Sequence, residues 1–360
     1  VKAHTLKKAL KIAEKTLVSE KKAMVEYFTK FCFFGDRVLT VNNYTAIEVH
    51  LAETVPVDLG QVDGLKLLRF VNSLGEEDEI EFSFEGGLVN ILAGSSTLTL
   101  ENQPSSDFPL STLRVEEDCW KSRVSPEMLK ELRHLGMSFT PNPFNAHSTG
   151  VCFVRDRLLA TDGQTITAVI NDVLDLPEVQ EGIFVPVPAV SILTAIHVWV
   201  DFDFQFEIQR EKNSFNFVFL NGESPEVTFK VLTPHSLNDR KELVQQITDV
   251  HDKNKNSLLH DPIPITEEMV DAVSRLTSTE ANYVTFTFNK EGVVLESSNK
   301  KSRIKEDLKV EGVEELNRRV FTVPLHRLKK AVKSANSLCF SLGSIVINYD
   351  NKEHWIAVTT

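Results

Sequence analysis

The side chains that could do covalent chemistry in this 360-residue sequence do not fall into a pattern that supports it. A hydrolytic cluster would have to be built from Asp162, His147 and His197. No nucleophile motif, metal-ligand spacing or glycine-rich phosphate loop accompanies them. Asp162 is followed by Gly163, and an Asp-Gly pair is first of all a turn signal. Cys32, Cys119, Cys152 and Cys339 are widely separated and include no Cys-x-x-Cys pair. They read as buried thiols in a reducing compartment, neither a disulfide frame nor a zinc site. No catalysis, cofactor or metal is expected.

Electrostatic binding is the chemistry the sequence does offer. The chain carries a net charge of −12, which argues against coating a polyanion with its whole surface. The distribution is uneven. Residues 2–17 hold five lysines, Lys7, Lys8, Lys11 and Lys15 among them, against Glu14 alone. Residues 64–74 hold Lys66 and Arg69, and residues 325–336 hold Arg327, Lys329, Lys330 and Lys333 with no acid. In the middle of the chain Lys130 and Arg133 are balanced by Glu127 and Glu131, and the stretch after Thr266 is net acidic. The predicted helices together carry +8, so everything outside them carries −20. A lysine-rich helix face is often simply solvated. Basic helices in an acidic chain also suit a helical surface held over a polyanion, with an exterior that resists adhesion.

The elements that position these charges recur. Leu158 to Val169 reads as an apolar strand, a turn at Asp162-Gly163 and a second strand with alternating side chains. Related stretches lie about 120 residues upstream, at Val38 to Val49, and about 136 residues downstream, at Val294 to Lys301. Each follows a helical pattern and precedes a second helix and further strands. Val62, Val185 and Val323, which introduce those second helices, keep the same period.

The six helices are predicted over 2–17, 64–74, the run after the Ser125 cap, 189–198, the run after the Thr266 cap, and from Val323-Pro324 to Asn336. Residues 104–109 read as an irregular linker. So do residues 233–264, with a short helix near Leu243 to Ile247. The fold class expected is α+β, with three repeated domains over 1–115, 116–245 and 246–360, each of two helices packed on β-sheets. The apolar fraction of 42% and charged fraction of 25% are those of a soluble globular protein. No apolar run approaches the roughly 20 residues of a membrane span, and the lysine-rich start lacks a signal-peptide core. A cytoplasmic protein with no membrane partner is expected.

Taken together, these residues resemble the bacterial-type DNA sliding clamp, the beta subunit of DNA polymerase III. Leu159-Ala160-Thr161-Asp162-Gly163 is similar to that family's middle-domain signature. Pro104-Ser105-Ser106-Asp107-Phe108-Pro109, after a Ser/Thr-rich strand, is similar to the segment leaving its first domain. The likeness spans essentially the full length. It implies half of a six-domain ring: a head-to-tail homodimer lined by helices, encircling double-stranded DNA without regard to sequence and tethering the replicative polymerase. The clamp loader would be a further partner.

On this resemblance the DNA contacts are Lys7, Lys8, Lys11, Lys15, Lys66, Arg69, Lys130, Arg133, Arg327, Lys330 and Lys333. A partner-peptide pocket between the second and third domains would draw on Leu158, Gly163, Gln164, Thr165, Ile166, Leu237, Lys241 and Val358. Ring closure would join the strand of Leu98 and Leu100 to the region of Arg275 and Leu276 in a neighbour. An uncharged edge strand suits pairing with another subunit. The sequence departs from the family where Gly-His-Arg-Leu becomes Gly163-Gln164-Thr165-Ile166 and the Met-Pro-Met-Arg end becomes Ala357-Val358-Thr359-Thr360. This suggests a divergent, phage-type member with altered partner peptides. The competing reading is a non-enzymatic repeat scaffold that binds proteins and not DNA.

Overall fold

The computed structural model describes residues 1–43, 45–56, 59–109, 120–124, 128, 131–132, 135, 149–154, 157–162, 165–170, 183–197, 205–210, 214–221, 224–232, 237–350 and 352–358. Among the described residues are six α-helices and 23 strands, and all the strands fall into four antiparallel sheets. The chain divides into two compact units. One comprises Val1–Arg133, Leu174–Glu178 and Pro188–Asp239, the other His134–Val173, Val179–Val187 and Arg240–Thr360.

The first unit is built on an eight-stranded sheet. Its first half is β4 (Gln61–Asp63), β1 (Lys30–Phe34), β2 (Arg37–Val41) and β3 (Thr45–His50). Its second half continues through β15 (Ser224–Leu232), β14 (Ser214–Asn221), β13 (Gln205–Arg210) and β8 (Trp120–Val124). The seam is β3 against β15, in register from Thr45↔Val231 to Val49↔Val227. A three-stranded sheet of β5 (Glu81–Glu85), β6 (Leu88–Ala93) and β7 (Ser96–Glu101) leaves β7 as an edge.

Helix α1 (Ala3–Ala13) packs against α2 (Gly64–Ser73). The apolar stripe Leu6, Ala9, Leu10 and Ala13 of α1 is buried, as its spacing requires. The helix gives way to a 3₁₀ turn over Glu14–Thr16, so it is shorter than the predicted 2–17. Asp63 caps α2, its carboxylate accepting from the Lys66 amide at 2.9 Å. Helix α3 (Val187–His197) buries Ala189, Val190, Leu193 and Ile196. In the run after Ser125, Met128, Leu132 and Leu135 are buried at helical spacing, while Ser125 and Pro126 lie outside the described residues.

The second unit repeats the device. Its eight-stranded sheet begins with β12 (Ile183–Pro186), β9 (Gly150–Val154), β10 (Arg157–Thr161) and β11 (Thr165–Ile170). It continues through β23 (Lys352–Ala357), β22 (Ser344–Asn348), β21 (Ser337–Phe340) and β16 (Ile263–Pro264). Here β11 pairs with β23, from Thr165↔Ile356 to Val169↔Lys352. The four-stranded sheet runs β19 (Arg303–Lys309), β18 (Gly292–Ser298), β17 (Tyr283–Asn289) and β20 (Val320–Pro324), with β19 at an edge.

Helix α4 (Leu237–Lys255) corrects the linker reading of 233–264: the helix there has 19 residues. Its buried face is narrow, Val244, Ile247 and His251, which is why a polar segment concealed it. Helix α5 (Glu267–Leu276) is capped by Thr266, whose hydroxyl accepts from the Met269 amide at 3.3 Å. Helix α6 (Leu325–Val332) stops four residues before the predicted Asn336. Both pack into a core that includes Phe286, Phe288, Phe321 and Phe340. The rings of Phe321 and Phe340 lie 4.6 Å apart.

The three related hairpins share one turn device. The carboxamide oxygen of Asn42 accepts from the amide and hydroxyl of Thr45 at 2.9 and 3.0 Å. The carboxylate of Asp162 does the same for Thr165 at 2.8 and 2.9 Å. The Asn299 carboxamide oxygen does so for Ser302 at 2.8 and 3.1 Å. An Asx side chain closing on a hydroxyl residue three places later is therefore the local mark of the repeat.

Candidate functional site

The basic residues divide by what their helices leave open. Lys7 is half-buried and donates to the Leu74 carbonyl at 3.2 Å, and Lys11 is also half-buried. Lys8 pairs with Glu226 at 3.5 Å, Lys15 with Glu14 at 3.0 Å, and Lys66 with Asp63 at 3.0 Å. Surface pairs of this kind are worth at most ~1 kcal/mol, so these ammonium groups can exchange a carboxylate for a phosphate. Arg69, Lys330 and Lys333 are exposed. Lys130 and Arg133 lie outside the described residues.

Arg327 is placed differently from the solvent-facing cation expected. Its side chain is 15% exposed and its Nη1 donates to the Asp162 carboxylate at 2.8 Å and to the Thr165 hydroxyl at 3.2 Å. A cation taken up by a buried carboxylate is committed to the protein interior. Beside it, His354 accepts or donates a hydrogen bond with the Thr167 hydroxyl at 2.7 Å. Burial and the Arg327 guanidinium push His354 down to about 4, against the pull of Asp162. Its imidazole is neutral at physiological pH.

On the opposite face of the same sheet lies a cleft of about 400 Å³. Thr165 and Ile166 line it, with Thr161, Gly343, Ser344, Trp355 and Ala357 of neighbouring strands and turns. Helix α4 supplies the remaining wall through Leu243, Gln246, Ile247, Val250 and Asn254. No charged side chain is found among these lining residues. Leu158 is fully buried and Val358 packs half-buried against the core, and neither lines the cleft. Gly163 and Gln164 lie outside the described residues, as do the side chains of Leu237 and Lys241. Sequence reasoning missed the α4 wall and Trp355. The signal for the wall was there, in the helical spacing of Leu243, Val244, Ile247 and His251.

The two sheet edges complete the set. Along β7, Leu98 is half-buried and Leu100 is buried, and Leu100 lines a cleft with the exposed Met24 and Val25. Arg275 is exposed and grips Glu306 of β19 with two bonds, at 2.8 and 3.0 Å. Leu276, expected at the same interface, is fully buried in the core, because the apolar stripe of α5 runs through it.

The sequence matches no protein-family model and none of the curated proteins. The fold does match solved structures. A DNA polymerase sliding clamp from Caulobacter crescentus superposes with a TM-score of 0.78 at 15% identity, covering 100% of this chain and 98% of that one. A sliding clamp (DNA polymerase III subunit beta) from Bartonella birtlesii, bound to griselimycin, gives 0.75 at 17%, covering 100% and 98%. The Helicobacter pylori beta clamp bound to a DNA ligase peptide gives 0.70 at 14%, covering 100% and 99%. At these identities the likeness is one of fold.

Proposed function

From a chain that carries the fold of the DNA polymerase III beta sliding clamp over its whole length, we propose a DNA polymerase processivity factor. Two copies join head to tail, each contributing three repeated domains over 1–115, 116–245 and 246–360. The resulting ring encircles duplex DNA, and its site of action is cytoplasmic. Among the described residues no helix is long and apolar enough to cross a membrane. The observation that carries the reading is the joint occurrence of this fold and basic helices in an acidic chain. Phosphate contacts carry no sequence information and are salt-labile, which is what a sliding protein requires.

Exposed Lys66, Arg69, Lys330 and Lys333 are the leading contacts, with Lys7, Lys8, Lys11, Lys15, Lys130 and Arg133 supporting them. Ring closure pairs the β7 edge of one copy with the β19 edge of the next. The cleft between α4 and the β10–β11 hairpin takes a peptide segment of the polymerase, the clamp loader or another replication protein. A solved structure of this fold that holds a DNA ligase peptide favours a peptide ligand. The role is that of a tether with no catalysis of its own.

The test is retention on duplex DNA. A ring stays on nicked circular DNA after loading and is lost on linearisation, and it has dimer mass in solution. A monomer at high concentration, or equal retention on linear DNA, refutes it in favour of a protein-binding scaffold.

A further inference from the structure

Helix α6 presents one exposed stripe in which a histidine leads two lysines. His326 and Lys330 of the helix and Lys333 at its C-cap are exposed at i, i+4 and i+7, while Leu325, Leu328, Ala331 and Val332 face the core. This spacing sets the three side chains about 6 and 4.5 Å apart along the helix axis. Arg327, next to His326, is turned inward onto Asp162 at 2.8 Å, and Lys329 donates to the Thr277 hydroxyl at 3.4 Å. The stripe thus holds two permanent cations and one titratable group.

The surroundings of that group are mostly basic. Partial covering of the ring, then the Arg327 guanidinium and the Lys330 ammonium, hold the His326 imidazole below its ordinary value of roughly 6.5, against the pull of Asp162. Asp162 belongs to the β10–β11 turn and is already paired with Arg327. On α5, which packs against α6, Glu268 and Asp271 act on Arg275. On β23, Glu353 is taken up by His251 and Lys255, His354 is neutral, and Lys352 pairs opposite Val169, at the far end of the strand from the turn. Strands β17 and β20 bring only the Tyr283 phenol. In the free protein His326 is therefore uncharged at neutral pH.

We propose that duplex binding along α6 takes up a proton at His326, which then serves as the third phosphate contact of the stripe. The inference rests on the reading of α6 as a helix that faces DNA. A phosphate seated across His326 and Lys330 brings the counter-charge that the protein itself does not provide there. The proton comes from solvent, and the imidazolium that forms has both ring nitrogens as donors. His326 is the exposed group of α6 that titrates near neutrality, so affinity rises as pH falls. By linkage, the factor by which the proton strengthens DNA binding is the factor by which DNA strengthens proton binding.

The experiment titrates the full chain into a short fluorescein-labelled duplex at neutral pH and at about pH 5.5. The proteins are wild type, His326→Gln, His326→Lys, and Lys330→Ala combined with Lys333→Ala. Calorimetry in buffers of different ionisation heat counts the protons taken up on binding. On acidification wild type is expected to gain about tenfold in affinity over His326→Gln, the scale of one charge-assisted hydrogen bond. Its plot of log affinity against log salt steepens by up to about 0.9, and it takes up as much as about one proton more than His326→Gln. His326→Lys binds at neutral pH as tightly as wild type does in acid and shows no such gain. No duplex binding, or binding indifferent to the loss of Lys330 and Lys333, overturns the placement of α6 on DNA and this inference with it. Binding that needs both lysines, with one pH profile and one proton count shared by wild type and His326→Gln, overturns the titratable contact and leaves α6 on DNA.

Discussion

Arg327 Nη1 donates to Asp162 Oδ2 at 2.8 Å, joining a helix of the last repeat to the turn of the middle one across 165 residues. The two side chains are 15% and 2% exposed, so neither charge is hydrated in the manner of a surface pair. Arg327→Ala strands a buried carboxylate and is expected to cost roughly 3–5 kcal/mol. The urea midpoint reads this directly. Equal stability of the variant would mean that Asp162 is protonated or otherwise satisfied.

A pH effect follows from His354. Its folded value is about 4, and the imidazole of an unfolded chain titrates near 6.5. As pH falls from 6.5 towards 4, the unfolded chain takes up a proton that the folded one refuses. Stability is therefore complete above the window and declines through it, by about 3 kcal/mol over the full span. Comparing urea midpoints at neutral and acid pH for wild type and His354→Gln isolates this contribution, which the variant lacks.

DNA binding is predicted to respond to the exposed cations and not to Arg327. Lys330→Ala with Lys333→Ala leaves the urea midpoint within about 0.5 kcal/mol of wild type. It flattens the plot of log affinity against log salt by about 0.9 for each phosphate no longer neutralised. An unchanged slope removes these two residues from the set that meets DNA.

Ring closure is predicted to depend on β7. Leu98→Glu places a charge on a half-buried edge position and shifts a dimer to monomers in sedimentation velocity. A dimer that persists at the same concentration places the joint elsewhere.

The shared hairpin turn gives a further comparison. Asn42→Ala and Asn299→Ala each remove two hydrogen bonds to a residue three places on and one to a distant carbonyl, of Thr16 or Thr279, and Asn299→Ala also removes one from the Lys301 amide. Each is expected to cost about 1–2 kcal/mol in chemical denaturation. Markedly unequal losses would show that the turns are alike in outline only.

Much of this architecture could be read from local pattern. The hairpins at Val38, Leu158 and Val294, the Thr266 cap and the stripe of α1 are short-range signals, and the structure contains them. What escaped depends on distance. The pairing of Arg327 with Asp162 has no local mark, since a lysine-rich helix looks the same whether one of its cations is buried or not. Leu276, expected at a subunit surface, belongs to the buried stripe of α5. Helix α4 is legible only as the short helix near Leu243 to Ile247, because its outer face is polar and its next buried position is a histidine, which periodicity in apolar residues does not register.

The β3–β15 and β11–β23 seams each stitch strands from two repeats into one hydrogen-bonded sheet, five residue pairs long. Prising either seam apart would require breaking a backbone ladder all at once, exposing its peptide groups. Each compact unit should therefore yield last along its own seam, and a pull on the chain would first part whatever joint is held by side chains alone.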